Sequence, residues 1–375
     1  MKRIIINGAN GYIASNFINE LLLNNFEVIA LVRKSKNHLP SDRMQKALAE
    51  INDPEYALPK KLRVYEYTLT EENFSFLDEQ LQIIFSQPVN YFHFAASLKY
   101  DFKSKDEIFK TNLAGVENSL NIFSRYATKN SRFFFISTAY SCGRITEPFK
   151  EEFYENEDIV SFRNYYEQSK RYAENIVRKY IEEQSINGHI LRLSQIVGNN
   201  KTGVTNTDYG IFDFAKRVYN LSNTYPNNII RVCIDPDSTQ NLLPIDTVTM
   251  YLMRTVQIEH LPVIINFVAK NSIMNFHIID SLNKLLPIKL IPVKILNTVE
   301  MTAWERMISI GMSFTGSYAN TNLIFETKNL EKIAEVGTNE VSATTISWML
   351  DYFFDTLSLK KQNVSSTLSH DQNES

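Results

Sequence analysis

The chain opens with an apolar strand that runs straight into a glycine turn, and this feature restricts the possible folds most. Isoleucines occupy positions 4–6, Gly8-Ala9-Asn10-Gly11 follows, and an amphipathic stretch then reaches Leu23. Glycine in the turn lets the backbone approach a pyrophosphate, and a helix that starts there directs its first amides at that charge. The pattern predicts a dinucleotide site. Its expected contacts are Gly8, Asn10, Gly11, Tyr12 and Ile13.

About the first 200 residues alternate short apolar runs with amphipathic stretches, a rhythm typical of strands and helices around a parallel sheet. The expected strands span residues 3–7, 27–32, 62–67, 90–95, 132–137 and 188–193. The expected helices span residues 11–23, 71–85, 105–126 and 164–183. Both faces of the strands are apolar, as in a sheet that helices cover on each side. We therefore predict an α/β fold with a doubly wound, parallel-sheet Rossmann domain over residues 1–198.

The rhythm becomes irregular after Ser194, and this half predicts a smaller C-terminal α+β lobe that binds substrate, over residues 199–359. Strands are expected at 229–234 and 263–268 and helices at 211–220 and 272–286. Strands from about 228–268 are expected to return to the main sheet. Residues 360–375 are polar and rich in Ser, Asn and Gln, so they predict a disordered tail.

The residues after the second predicted strand bear on which dinucleotide binds. NAD sites usually carry an acidic residue about 20 positions after the glycines, whereas this chain has Arg33 and Lys34 there and Arg43 further on. A guanidinium can hold a 2′-phosphate through two hydrogen bonds, and an acidic group would repel it. The sequence thus favours NADPH, with NAD still open. The alternative is that Arg33 and Lys34 are solvated loop charges.

Tyr166 and Lys170 place a phenol and an ammonium four residues apart, on one face of a predicted helix. An ammonium beside a phenol lowers the pKa of the phenol and suits it to exchange a proton with an alcohol or carbonyl. The spacing alone is common, since Tyr56 and Lys60 share it, but Pro59 lies between those two and breaks a helix. The pair at 166 and 170 is therefore the candidate for proton transfer.

Thr138 follows the apolar strand predicted at 132–137. The carboxyl ends of strands in a parallel sheet face the ligand crevice, so its hydroxyl is a candidate to hydrogen-bond a substrate oxygen. The alternative is a hydroxyl that caps the next turn.

Taken together, these motifs resemble an extended short-chain dehydrogenase/reductase over about the first 200 residues. They occur in the order Gly8-x-x-Gly11-x-x-Ala14, His93-Phe94-Ala95-Ala96, Asn112, Ser137-Thr138-Ala139-Tyr140 and Tyr166-x-x-x-Lys170. The resemblance implies that Tyr166 is the general acid/base and that Thr138 orients the substrate carbonyl. It also implies that Lys170 modulates the pKa of the tyrosine and binds the cofactor ribose.

The same resemblance implies further contacts. Asn112 would support a water relay, and Leu69, Ala95 and Ala96 would lie along the cofactor cleft. One departure concerns Thr68, which stands where the family has an adenine-binding aspartate after the third strand. That departure weakens the adenine assignment there but not the fold.

Several segments resemble one branch of this superfamily, the thioester reductases and fatty acyl-CoA reductases (male-sterility proteins). They lie at 31–33, 136–140, 166–174, 191–203 and Pro244-Ile245-Asp246. Ala139-Tyr140 stand where sugar-nucleotide 4,6-dehydratases need Asp-Glu for elimination, so that reaction is disfavoured.

The motifs predict an NAD(P)-dependent oxidoreductase that transfers hydride to a carbonyl. One substrate would be an acyl thioester, on a small molecule or a carrier protein, that is reduced to an aldehyde. The same tyrosine would serve a sugar-nucleotide epimerase or a small ketone or alcohol dehydrogenase, and these alternatives stay open. A non-catalytic NADP(H)-binding regulator is a third hypothesis, disfavoured because such proteins commonly lose the tyrosine–lysine pair.

Bulk properties narrow the partners and the compartment. The net charge of -3 gives no reason to expect nucleic acid, and no apolar run approaches the ~20 residues of a bilayer span. Two cysteines, Cys142 and Cys233, favour a reducing compartment, and the N-terminus lacks signal-peptide character, so we expect a cytoplasmic monomer or homodimer. The six histidines show no metal-ligand spacing, and no metal is predicted.

Overall fold

The computed structural model describes residues 3–311 and 315–371 and divides into two compact units. The N-terminal unit comprises Met1–Ser194, Thr247–Val268 and Ile324–Val336. The C-terminal unit comprises Gln195–Asp246, Ala269–Leu323 and Gly337–Ser375.

The secondary structure elements follow the chain in this order. The strands are β1 (Arg3–Asn7), β2 (Val28–Val32), β3 (Leu62–Glu66), β4 (Val89–His93), β5 (Arg132–Thr138), β6 (Gly188–Leu193), β7 (Gln195–Val197), β8 (Ile229–Cys233), β9 (Thr239–Gln240), β10 (Leu242–Pro244), β11 (Ile264–Phe267), β12 (Ile273–Met274) and β13 (Lys289–Val293). The helices are α1 (Tyr12–Leu23), α2 (Pro40–Ala49), α3 (Asp78–Ile84), α4 (Lys105–Phe109), α5 (Gly115–Tyr126), α6 (Tyr165–Glu182), α7 (Ile211–Thr224), α8 (Ile245–Gln257), α9 (Asn275–Leu285), α10 (Ala303–Gly311) and α11 (Ala343–Asp371).

The main sheet lies in the N-terminal unit and has seven strands in the order β11-β6-β5-β4-β1-β2-β3. Every neighbouring pair in this sheet is parallel. The strand order reverses between β1 and β4, where open sheets of this kind bind ligands at their carboxyl ends. The predicted doubly wound α/β fold is confirmed.

Burial explains why the sequence predicted these strands so well. Every residue of β1, β2, β4, β5 and β6 is buried, whereas the edge strand β3 is only partly covered. Strands covered on both faces carry apolar residues without alternation, which is the pattern in the sequence.

Strand β4 ends at His93, two residues before the predicted end. The side-chain oxygen of Asn7 accepts hydrogen bonds from the backbone amides of Phe94 (2.8 Å) and Ala95 (2.9 Å). These amides are therefore bound to a side chain of β1 instead of extending the sheet.

The helix predicted at 71–85 is also shorter. A 3-10 turn at Glu72–Ser75 contains Asn73 and Phe74 at φ values of 49° and 58°, and α3 begins only at Asp78. Phe74 is buried and lies edge-on to Tyr67, with ring centroids 5.4 Å apart. The left-handed backbone at Asn73 and Phe74 interrupts the predicted helix, and it occurs where the Phe74 ring is buried.

The C-terminal unit has its own apolar core and three short strand pairs, β7 with β10, β9 with β12 and β8 with β13. Of the strands expected to return to the main sheet from about 228–268, only β11 does so. Strand β8 pairs in parallel with β13. The sequence did not predict β13, because Lys289–Val293 contains Pro292, which has no amide hydrogen to donate within a sheet.

The predicted disordered tail at 360–375 differs from the structure, in which α11 continues to Asp371. Residues 360–371 contain neither glycine nor proline, so nothing in that stretch interrupts a helix once it has begun. Residues 372–375 lie outside the described part of the chain.

Candidate active site

The glycine turn joins β1 to α1 at the carboxyl end of the sheet. Gly8 has a φ of +63°, and a Cβ atom there would lie 2.9 Å from the backbone nitrogen of Ala95. The Gly11 amide donates to the Gly8 carbonyl at 3.0 Å, and α1 begins at Tyr12 with no side chain capping it. A helix end of this kind suits a phosphate. Asn10 and Ile13, also predicted contacts, lie half-buried in the same stretch.

Asn7 holds the loop after β4 against this turn. Besides accepting from Phe94 and Ala95, its amide nitrogen donates to the Tyr91 hydroxyl (3.0 Å) and to Nδ1 of His93 (2.9 Å). The predicted contacts Ala95 and Ala96 are half-buried in the loop that this clamp positions. No local sequence pattern indicates this clamp, because its partners lie more than 80 residues from Asn7.

The two predicted arginines lie together after β2, where the Arg43 guanidinium donates to the Arg33 carbonyl. Tyr67 lies next to this segment, since its amide donates to the Val32 carbonyl at 3.3 Å. Burial raises the pKa of the Tyr67 hydroxyl, and the Gly8 amide and both arginines lower it by less. That hydroxyl accepts a hydrogen bond from the Gly8 amide at 3.1 Å. The structure thus brings Gly8, Arg33 and Arg43 together, and adds Tyr67, which the sequence did not single out.

Leu69, a predicted cofactor contact, packs its side chain inside the protein. Its side chain is part of the buried core, and a Cβ on Gly115 would approach it to 2.7 Å. Its carbonyl accepts from the Asn118 amide at 2.8 Å. The side chain and the carbonyl of Leu69 therefore both contact other parts of the protein.

Tyr166 and Lys170 lie in the first two turns of α6, which begins after Asn164. The Asn164 side chain caps this end by accepting from the Glu167 amide at 3.0 Å. Lys170 is buried, and its Nζ donates to the Ile136 carbonyl of β5 at 2.8 Å. The ammonium is therefore held two residues before Thr138, at the carboxyl end of the strand.

Burial dominates the acid–base properties of the pair. It raises the pKa of Tyr166, and the Glu167 carboxylate raises it further. Burial lowers the pKa of Lys170 to about 8, against a smaller opposite effect of Glu174. The expected lowering of the Tyr166 pKa by Lys170 is therefore not present in this structure. The physical reason is that loss of hydration disfavours both charged forms.

The Thr138 hydroxyl makes two hydrogen bonds within the protein. It donates to the Leu193 carbonyl (3.2 Å) and accepts from the Tyr140 amide (3.2 Å), so it caps the 3-10 turn at Ala139–Cys142. This is the capping alternative that the sequence left open. The lone pair that remains on this hydroxyl cannot bind a substrate carbonyl oxygen, because both atoms only accept hydrogen bonds.

Asn112 lies in a π-helical turn, Lys110–Ala114, between α4 and α5. Its side-chain oxygen accepts from the Ser97 amide at 2.7 Å, and its side-chain nitrogen donates to the Ser97 carbonyl at 3.2 Å. Its amide nitrogen also donates to the Ser169 hydroxyl at 2.9 Å, which in turn donates to the Tyr166 carbonyl at 2.8 Å. The geometry links Asn112 to the backbone of the tyrosine through one serine.

A buried ion pair supports the same region. Arg192 and Glu174 are joined through both carboxylate oxygens at 2.8–3.1 Å, and each is at most 1% exposed. Ser137 and Ser141 also donate to this carboxylate, at 2.5 and 3.0 Å. The pair thus binds the residues on either side of Thr138. Sequence reasoning noted Glu174 and Arg192 only as family motifs, since their pairing depends on the fold.

Two further findings limit the chemistry of the described residues. Among the side chains that the structure describes, no group of three or more His, Cys, Asp or Glu residues could hold a metal ion. Within residues 3–311 and 315–371, no helix has the length and apolar character needed to span a bilayer.

Comparison with protein families decides the classification. The family model described as male sterility protein, an NAD-binding family, matches residues 6–252. The chain belongs to the male sterility protein family. It is accordingly an NAD(P)-dependent oxidoreductase of the extended short-chain dehydrogenase/reductase type, as the sequence predicted. No curated protein sequence matches this family member.

Solved structures share the fold of this male sterility family member at low identity. The terminal R domain from the myxalamid PKS-NRPS biosynthetic pathway is 18% identical with a TM-score of 0.76, covering 95% of this chain and 91% of that one. A thiolation-reductase di-domain from an archaeal non-ribosomal peptide synthetase is 16% identical with a TM-score of 0.73, covering 95% and 75%. UDP-glucuronic acid 4-epimerase from Bacillus cereus, in complex with NAD, is 16% identical with a TM-score of 0.64, covering 94% and 96%.

The residues present fit the dinucleotide of the family. Gly8 leaves no room for a Cβ in the turn, and α1 begins without a side-chain cap. Arg33 and Arg43 are joined after β2, next to Val32, whose carbonyl accepts from the Tyr67 amide. The first amides of α1 are donors for a pyrophosphate, and the guanidiniums are donors for further anionic groups.

Proposed function

We propose that this protein is an NADPH-dependent reductase that reduces the carbonyl of an acyl thioester. The observation that carries the proposal is the placement of Tyr166 and Lys170 on α6, with the lysine bound to β5 two residues before Thr138. Two reductase domains with this fold, one of them joined to a thiolation domain, support the thioester as substrate class.

The residues divide the work as follows. The tight turn at Gly8 and Gly11 would let the pyrophosphate reach the first amides of α1, and Arg33 and Arg43 would hold a 2′-phosphate. When bound, NADPH supplies the hydride. The fit of NADPH rests on the two guanidiniums and on the lack of an acidic residue at the end of β2.

Tyr166 would give its phenolic proton to the carbonyl oxygen as that oxygen gains negative charge. Because burial raises its pKa, the phenol is protonated at neutral pH and ready to donate. Lys170, which the family resemblance makes a ligand of the cofactor ribose, would be positioned by its hydrogen bond to the Ile136 carbonyl. With an acyl thioester the first product is a hemithioacetal, which releases the thiol and leaves an aldehyde.

A sugar-nucleotide epimerase of the same fold is the alternative. It would first oxidise its substrate, for which Tyr166 must accept a proton. NAD that stays bound through purification, with no thioester-dependent oxidation of NADPH, would favour the epimerase instead.

The test compares two tyrosines that are neighbours in sequence. Tyr166→Phe should abolish NADPH oxidation with acyl thioesters and leave NADPH affinity within about twofold, because it removes one hydroxyl from the proton-transfer site. Tyr165→Phe is the control, since Tyr165 packs edge-on against Phe102 and Phe109. Full turnover in Tyr166→Phe would refute the mechanism. NADPH binding without oxidation of any carbonyl or thioester would indicate a non-catalytic regulator.

A further inference from the structure

Tyr67 brings a hydroxyl to the glycine turn from the end of β3. Tyr67 is 3% exposed, and its ring packs edge-on against Phe74. The polar tip of this buried ring reaches Gly8, whose amide donates to it at 3.1 Å. A buried tyrosine of this kind needs hydrogen-bond partners for its hydroxyl.

The hydroxyl proton of Tyr67 has no acceptor in the described part of the protein. A phenol can donate one hydrogen bond besides accepting, and within residues 3–311 and 315–371 this one only accepts. The neighbouring charged groups are Arg33, which follows the Val32 carbonyl that accepts from the Tyr67 amide, and Arg43, whose guanidinium donates to the Arg33 carbonyl. Guanidiniums carry no lone pair for hydrogen bonding, so neither can take the proton.

Tyr67, Arg33 and Arg43 can all donate to one oxygen acceptor, and the two guanidiniums favour an acceptor that carries negative charge. We propose that the Tyr67 hydroxyl donates a hydrogen bond to the 2′-phosphate of NADPH, forming a three-donor site with Arg33 and Arg43. The inference rests on the proposed function and names the residue that completes its cofactor specificity.

The position favours the 2′-phosphate over the pyrophosphate. Pyrophosphates in this fold bind at the start of the first helix, whereas the adenosine ribose lies near the end of the second strand, where Arg33 stands. Burial raises the pKa of Tyr67 to about 12, so the phenol keeps its proton throughout the physiological range and remains a donor. Repulsion between a phenolate and the phosphate therefore does not arise.

The test is binding to the Tyr67→Phe variant, measured by calorimetry with NADPH, NADH and 2′,5′-ADP. A hydrogen bond to a charged acceptor predicts a loss of about tenfold or more in affinity for NADPH and 2′,5′-ADP. NADH affinity should change by less than about twofold. Tyr65→Phe is the matched control on the same strand, where the ring lies edge-on to Phe76, and it should bind all three ligands like the wild type.

Each other outcome has a definite meaning. Equal losses for NADPH and NADH would mean that Tyr67 acts only by holding Gly8, and would overturn the direct contact. An unchanged affinity for 2′,5′-ADP would overturn it as well. A wild type that binds NADH as tightly as NADPH would instead refute the proposed cofactor. In a double-mutant cycle with Arg33→Gln, the two losses should not add, because both residues would bind one phosphate.

Discussion

The Lys170 ammonium donates to the Ile136 carbonyl at 2.8 Å and lies 4.9 Å from the centre of the Phe135 ring. This contact joins α6 to strand β5, two residues before Thr138. It also places an ammonium group among apolar side chains, and that placement has a measurable effect on stability.

Lys170→Met should change how stability depends on pH. Burial lowers the Lys170 pKa to about 8 from 10.5, so the folded chain binds this proton less tightly than the unfolded chain. The charged Lys170 therefore destabilises the folded chain fully below pH 8, and this destabilisation disappears as the pH rises towards 10.5. From pH 7 to 10, the wild type should therefore gain about 2–3 kcal/mol relative to Lys170→Met.

Urea unfolding at both pH values measures this difference. Lys179→Met is the control, because Lys179 is exposed on the same helix. A wild type and Lys170→Met variant that keep a constant stability difference over this range would contradict the buried, destabilised ammonium.

Gly8→Ala should impair dinucleotide binding through a steric clash. The new Cβ would lie 2.9 Å from the Ala95 nitrogen, and backbone cannot move aside as a flexible side chain can. Gly337→Ala is the control: its φ of +93° imposes a similar conformational strain, but its Cβ would meet only the Lys270 side chain, at 3.4 Å. We expect Gly8→Ala alone to lower NADPH affinity by about tenfold or more. Similar affinities in the two variants would exclude a tight turn at Gly8.

The sequence predicted the sheet well because burial leaves a local trace. Strands β1 and β6 have the predicted bounds of 3–7 and 188–193. The pairing of β8 with β13 and the hydrogen bonds of Asn7 join residues about 60 or more positions apart, which no local pattern records.

In the candidate site, too, local spacing was predictable from the sequence, whereas properties that depend on the fold were not. Spacing identified Tyr166 and Lys170, since both lie on one helix. It did not give the direction of the Tyr166 pKa, because that depends on how much water the folded chain removes. Nor could it separate the two roles of Thr138, whose partner Leu193 comes from another strand.

Glu174→Gln should destabilise the protein strongly. The change removes the negative charge that pairs with Arg192, at a site at most 1% exposed. It also puts an amide nitrogen, which can only donate, among the donors Arg192, Ser137 and Ser141. Breaking a buried pair in this way typically costs about 3–5 kcal/mol. Glu155→Gln is the matched control, because its ion pair with Arg178 has a carboxylate that is 84% exposed. Equal free energies of unfolding for the two variants would show that the buried pair contributes little.

Asn112→Asp should loosen the support behind Tyr166. The carboxylate could still accept from the Ser97 amide, but it could not donate to the Ser97 carbonyl or to Ser169. We expect a loss of about 1–3 kcal/mol in unfolding free energy, together with slower NADPH oxidation. Asn121→Asp is the control, since the exposed Asn121 only accepts, from the Tyr180 hydroxyl. Wild-type stability in Asn112→Asp would contradict the clamp.

Substitutions at Thr138 can separate a cap from a substrate contact. Thr138→Ser keeps the hydroxyl, whereas Thr138→Val removes the hydrogen bonds to the Leu193 carbonyl and from the Tyr140 amide and should cost about 1–2 kcal/mol in stability. If the hydroxyl only caps the turn, the folded Thr138→Val enzyme should reduce thioesters at nearly the wild-type rate. If it also turns to a substrate carbonyl, kcat/KM should fall about 100-fold in Thr138→Val and recover in Thr138→Ser, with NADPH affinity unchanged. The hydroxyl has a single proton, so binding substrate would require it to release Leu193, and we expect the smaller, purely structural effect.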